Sequence, residues 1–125
     1  MNPSGKDAAP VDIARVYDEP DPHAGHRVLV DRLWPRGVAK AEAPFDEWMK
    51  DVAPSPELRT WYGHLPERFD EFSRRYRAEL GDGAAKKALD HLRTEAHDGH
   101  VVLLTATRDL DRSGAAVLRD VLSAG

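Results

Sequence analysis

Arg32-Leu33-Trp34-Pro35-Arg36-Gly37 sets two guanidiniums, an indole and two backbone-restricting residues directly behind the apolar run Val28-Leu29-Val30-Asp31. A guanidinium offers a planar fork that fits a carboxylate or phosphate through two parallel hydrogen bonds, and backbone N–H groups around Gly37 can add donors for the same anion. Further along, Arg59 stands in the last turn of a short helical stretch and His64 follows Gly63 in a turn. An imidazole in such a turn can serve as acid, base or hydrogen-bond donor near neutral pH. Thr105, Thr107, Arg108 and Asp109 follow a second apolar run, and Asp109 could orient a His or an Arg there. The candidate ligand-binding set is therefore Arg32, Trp34, Arg36, Arg59, His64 and Asp109. The chemistry it suits is binding of a compact phosphate- or nucleotide-like anion, with no catalytic residue or cofactor assigned.

Each of these residues also has a plainer role open to it. Asp31 or Glu42 can pair with Arg32 or Arg36 and hold the strand exit in place. Trp34 can be a core aromatic lying over the sheet, since the following proline favours an extended backbone. Arg59 complements a helix dipole, and Asp109 or Asp111 can satisfy the N–H groups opening the final helix. Metal is not expected: His23-x-x-His26 and His97-x-x-His100 have ligand-like spacing, but no obvious carboxylate or thiolate set completes a tetrahedron around either. Dinucleotide, P-loop, nucleophile-elbow and zincin motifs do not occur.

The elements that must position this set are readable from periodicity. Ile13 to Tyr17 and Arg27 to Leu33 read as strands, the second apolar enough to be covered on both faces. The Glu19 to His26 loop between them is too short for a crossover helix, so a mixed sheet is expected. Phe45, Trp48, Met49 and Val52 recur at helical spacing behind Pro44. Ser55-Pro56-Glu57 opens a second helix that Gly63 closes. Pro66 opens a third, carrying Phe69, Phe72, Tyr76 and Leu80; Ala85 to Ala96 form a fourth and Ala115 to Leu122 a fifth, with Asp111 or Ser113 as its cap. Val101 to Thr105 is the buried central strand. The expectation is a small layered α/β domain, a short mixed sheet covered by about five helices, spanning residues 11–125 behind a flexible segment 1–10.

The 125 residues suit one domain with its own core. A net charge of −4 disfavours nucleic acid and anionic membrane as partners, leaving a small anionic ligand. The absence of cysteine removes disulfides and every cysteine-nucleophile mechanism. No apolar run approaches the roughly 18 residues of a membrane span and the polar start has no signal-peptide core, so a soluble cytoplasmic protein is expected.

The run Arg27 to Gly37, with Ala53-Pro54-Ser55, Leu58-Arg59, Trp61-Tyr62-Gly63-His64, Phe72 and Arg75-Tyr76, resembles the YeaO-like family, domain of unknown function 488. The resemblance spans about Ile13 to Leu122 and implies a Rossmann-like α/β cytoplasmic protein. By analogy it extends to suggestions of nucleotide or nucleic-acid binding, without a reaction. Two departures flank the expected crevice. Arg112-Ser113 stands where the family tends to carry His-Asn, and Leu65 stands where it often has Asp before the helix-opening proline. If the family's His shares a site with Arg36 and His64, its absence implies an altered or lost activity; the alternative is a non-catalytic protein-interaction or nucleic-acid-binding domain in which the Arg-Leu-Trp-Pro-Arg-Gly motif is mainly structural.

Overall fold

A computed structural model describes residues 11–18 and 25–124; the segment 1–10 lies outside them. Four strands form the sheet among the described residues: β1 (Val11–Arg15), β2 (His26–Leu29), β3 (Glu47–Trp48) and β4 (Val101–Thr105), in the order β1-β4-β2-β3. Every pairing is parallel, with Ile13 and Val28 both opposite Leu103, and Val28 opposite Glu47. The sheet is therefore parallel rather than mixed. β1 and β2 are not neighbours, because β4 enters between them; the loop expected to join them, Glu19 to His26, lies largely outside the described residues.

β4 is buried along its whole length because it is paired on both sides and covered on both faces. Val28, Val30, Val101 and Leu103 turn to the main core, where they meet α1 (Pro56–Tyr62), α2 (Phe69–Glu79), α3 (Gly83–Asp98) and α4 (Gly114–Ala124). Leu29, Val102 and Leu104 turn the other way, onto a smaller cluster with Val16, Phe45 and Trp48. Among the described residues, four α-helices thus stand where about five were expected. No helix of the described residues is long and apolar enough to cross a membrane.

The missing helix is the one read from Phe45, Trp48, Met49 and Val52. Glu47–Trp48 instead pair with the open edge of β2, flanked by Asp46 N donating to the Arg27 carbonyl at 2.8 Å and Met49 N to that of Leu29 at 2.9 Å. A 3-10 turn, Lys50–Val52, follows. So short a helix is marginal by itself, and the unpaired groups of a strand edge outcompete it.

The second and third helices form where their caps lie. Ser55 Oγ accepts from Leu58 N at 3.1 Å and donates to Glu79 Oε2 at 2.6 Å, which ties the start of α1 to the end of α2. Gly63 closes α1 in the left-handed region, φ 56°. A 3-10 turn, Pro66–Arg68, leads into α2, whose Tyr76 is fully buried with its hydroxyl donating to the Val52 carbonyl.

Candidate functional site at the carboxyl edge of the sheet

Because the strands are parallel, β1, β2 and β4 release their following residues at one edge, the usual ligand edge of an α/β sheet. Tyr17, Asp31 and Ala106-Thr107 arrive there, and with the Arg32–Arg36 segment, Arg59, Tyr62, His64, Phe72 and Gly114 they line a cavity of about 420 Å³. A cavity of this size matches a small-molecule ligand. Arg32, Trp34, Arg36, Arg59 and His64 are all among its lining residues, whereas Asp109 is not. Asp109 instead holds Arg112 Nη1 at 2.9 Å.

The five lining residues divide by what they already bind. Arg32 spends its fork on the backbone, Nη2 donating to the Ala53 carbonyl at 3.1 Å and Nε to that of Pro54 at 3.3 Å. It clamps the strand exit to the start of the helical layer, and neither Asp31 nor Glu42 is its partner. Trp34 packs edge-on against Phe45 and Trp48, centroids 5.2 and 5.3 Å away, while its indole N–H donates to the Val38 carbonyl at 2.6 Å. Trp34 is thus a core aromatic with one side on the cavity. Arg36, Arg59 and His64 are exposed. Among the described residues, neither Arg36 nor Arg59 has a carboxylate within ion-pair distance. The Arg36 carbonyl accepts from the Tyr17 hydroxyl at 3.0 Å, which holds the loop down at the cavity mouth.

His64 takes φ 59°, a left-handed conformation, directly after the left-handed Gly63. Side chains rarely adopt it, at a cost of about 1–2 kcal/mol, and here it brings the imidazole ring within 6.2 Å of the Tyr62 ring at the cavity.

Asp31 is the cavity residue that the sequence assigned only a pairing role. Its Oδ1 accepts from Thr105 Oγ1 at 2.7 Å and its Oδ2 from Ala106 N at 2.8 Å, so it joins the exit of β2 to that of β4. Burial raises its carboxyl above the ordinary aspartate range, against the opposing pull of those two donors and of the Arg59 and His64 charges. The signal for it was a lone acid ending an apolar strand. Tyr62 is raised above the ordinary phenol value by burial and by the Asp109 charge, and its hydroxyl donates to the Arg112 carbonyl at 2.6 Å.

Ser113, not Asp111, caps α4: its buried Oγ accepts from Ala116 N at 3.2 Å and donates to the Leu110 carbonyl at 2.7 Å. Arg112 turns to Asp109 and is not among the cavity-lining residues. Ser113 does line the cavity, with its hydroxyl engaged in the cap, so neither of the two positions where the resemblance places His-Asn presents an imidazole there.

A small α/β protein with a ligand-sized cavity at the carboxyl edge of a parallel sheet is the class these features define. The chain belongs to the DUF488, YeaO-like family: residues 10–125 match the group described as "Inactive DUF488-N3 subclade". Uncharacterised proteins of Mycobacterium tuberculosis and Mycobacterium bovis are 53% identical to it over 113 residues, covering 90% of this chain and 93% of theirs. The uncharacterised protein YeaO of Escherichia coli is 35% identical over 115 residues, covering 90% of this chain and 96% of its own. No solved structure matches the chain.

Proposed function

We propose that this domain binds a small anionic, nucleotide-like ligand without turning it over. The observation that carries the reading is the meeting of Arg36, Arg59 and His64 at one cavity, over an aromatic wall of Tyr17, Trp34, Tyr62 and Phe72. Exposed guanidiniums receive the anion, the aromatic wall suits a planar body, and the half-buried Asp31 carboxylate has acceptor capacity left for a hydroxyl. Non-catalytic binding is favoured by the subclade's description as inactive and by the capping and pairing roles of Ser113 and Arg112. The net charge of −4 argues against nucleic acid, whose binding rests on phosphate neutralisation.

An architectural reading of the motif has one observation in its favour, the Arg32 clamp on Ala53 and Pro54. The two readings part at Arg36. The test is a thermal-shift and calorimetric panel of phosphate, sulfate, and mono- and dinucleotides on wild type, Arg36→Ala and Arg59→Ala. A ligand at a hundred times its dissociation constant stabilises the native state by about 2.7 kcal/mol. The expected result is a nucleotide-dependent shift that both variants lose while their own melting temperatures stay near wild type. Absence of any shift, or a shift indifferent to both variants, overturns the proposal.

A further inference from the structure

At the opposite, amino end of the strands, a second cluster gathers side chains from three elements. His26 opens β2, Glu47 lies in the edge strand β3, and His91 and Glu95 project from α3 one turn apart. His26 Nε2 lies 3.0 Å from Glu47 Oε1 and 3.2 Å from Glu95 Oε2. His91 Nε2 lies 3.5 Å from Glu95 Oε2 and 3.7 Å from Glu47 Oε2. The sequence offered no carboxylates to complete a site around His26; the fold brings two.

We propose that His26, His91, Glu47 and Glu95 hold a divalent transition-metal ion, with Zn²⁺ the best fit. Zinc takes imidazole nitrogen and carboxylate oxygen at about 2.0–2.2 Å in a tetrahedron, whose edges are then roughly 3.3–3.6 Å. The separations between His and Glu atoms run from 3.0 to 3.7 Å around that value, with His26 facing Glu47 Oε1 and His91 facing Glu47 Oε2, so His91 completes the set after a small side-chain adjustment. One ligand atom each of His26, Glu47 and Glu95 falls within 4.8 Å of the others, close enough to share one ion. Imidazole and carboxylate together suit zinc and its first-row neighbours, whereas magnesium and calcium take oxygen alone.

Two further observations point the same way. Glu95 Oε1 is buried without a hydrogen-bond partner among the described residues, an orphaned acceptor that a cation bound by both carboxylate oxygens would satisfy. The other nitrogen of His26, Nδ1, faces Asp46 Oδ2 at 3.8 Å, and that oxygen is itself held by Arg27 N at 2.9 Å. A carboxylate behind the imidazole orients metal-ligating histidines and sharpens their basicity. A groove lined by Glu47, Ala88 and His91 opens beside the cluster and offers the ion a route in. Without metal, the same atoms can form an ion-pair network around a protonated His26. The metal site is independent of the ligand cavity, because it uses none of its lining residues.

The test uses the full chain, with no affinity tag, stripped with chelator and titrated with Zn²⁺ and with Co²⁺. One equivalent is expected to bind, raise the melting temperature and give Co²⁺ the intense visible bands of tetrahedral coordination. Glu95→Gln and His26→Gln should weaken binding by about 10–100-fold or more. His91→Ala, at a side chain 60% exposed and outside the core, should remove the tetrahedral Co²⁺ spectrum without loss of fold. His97→Gln, on the same helix but outside the cluster, should change nothing. Octahedral Co²⁺ bands, no melting shift, or binding that survives both Glu95→Gln and His91→Ala would overturn the site in favour of the ion-pair network.

Discussion

Arg32 and Arg36 are four residues apart and do opposite work. The Arg32 fork satisfies two backbone carbonyls where β2 meets the helical layer, and its loss leaves both without their charged donor. Arg32→Ala should cost about 2–3 kcal/mol in urea denaturation, while Arg36→Ala should stay within about 0.5 kcal/mol. Asp31 makes a pH prediction. Its carboxyl is raised in the folded chain, so between the ordinary unfolded value of about 3.9 and the raised folded value the native state holds more protons than the unfolded one. Its contribution is therefore most favourable below that window and is lost as pH rises through the folded value. Arg59 and His64, the charges that face it, narrow the window without reversing it. The stability difference between wild type and Asp31→Asn should shrink as pH rises through this range; a difference that widens would contradict the burial of the carboxyl.

The 3-10 turn that leads into α2 starts without a side-chain cap. Leu65 takes the extended conformation of an N-cap, φ −88° and ψ 111°, yet offers no side-chain hydrogen bond and leaves an apolar side chain 38% exposed. Leu65→Asp should stabilise the protein by about 1 kcal/mol, read as a rise in denaturation midpoint at constant slope. Elements whose signals are local were legible: the Ser55 cap, the Gly63 stop, the Phe72-Tyr76-Leu80 face and the uniformly buried β4 all stand where their residues put them. The stretch Phe45–Val52 was not, since its helical spacing is real but its backbone groups answer to the edge of β2.

At the scale of the molecule, protection should follow the sheet order. β4 lies between β1 and β2, fully buried, and its amides should exchange only through global unfolding, whereas the two-residue edge strand β3 should exchange through local opening. Hydrogen exchange followed by mass spectrometry checks this, and equal protection of the two would contradict the order. Binding Zn²⁺ should slow exchange in β3 and α3 specifically, since the proposed ligands pin one to the other.

Periodicity and caps determined that this is a small α/β domain, and the run Arg27 to Gly37 carried the resemblance to the YeaO-like family. These are properties of contiguous residues, set by side-chain pattern and backbone restriction. Only the tertiary structure decided that the sheet is parallel, that β4 inserts between the first two strands, that Arg32 clamps while Arg36 faces outward, that Asp109 stands apart from the cavity, and that His26 meets Glu47 and Glu95. Each of these depends on which distant segments pair, and a strand's residues present the same pattern whether its neighbour runs parallel or antiparallel.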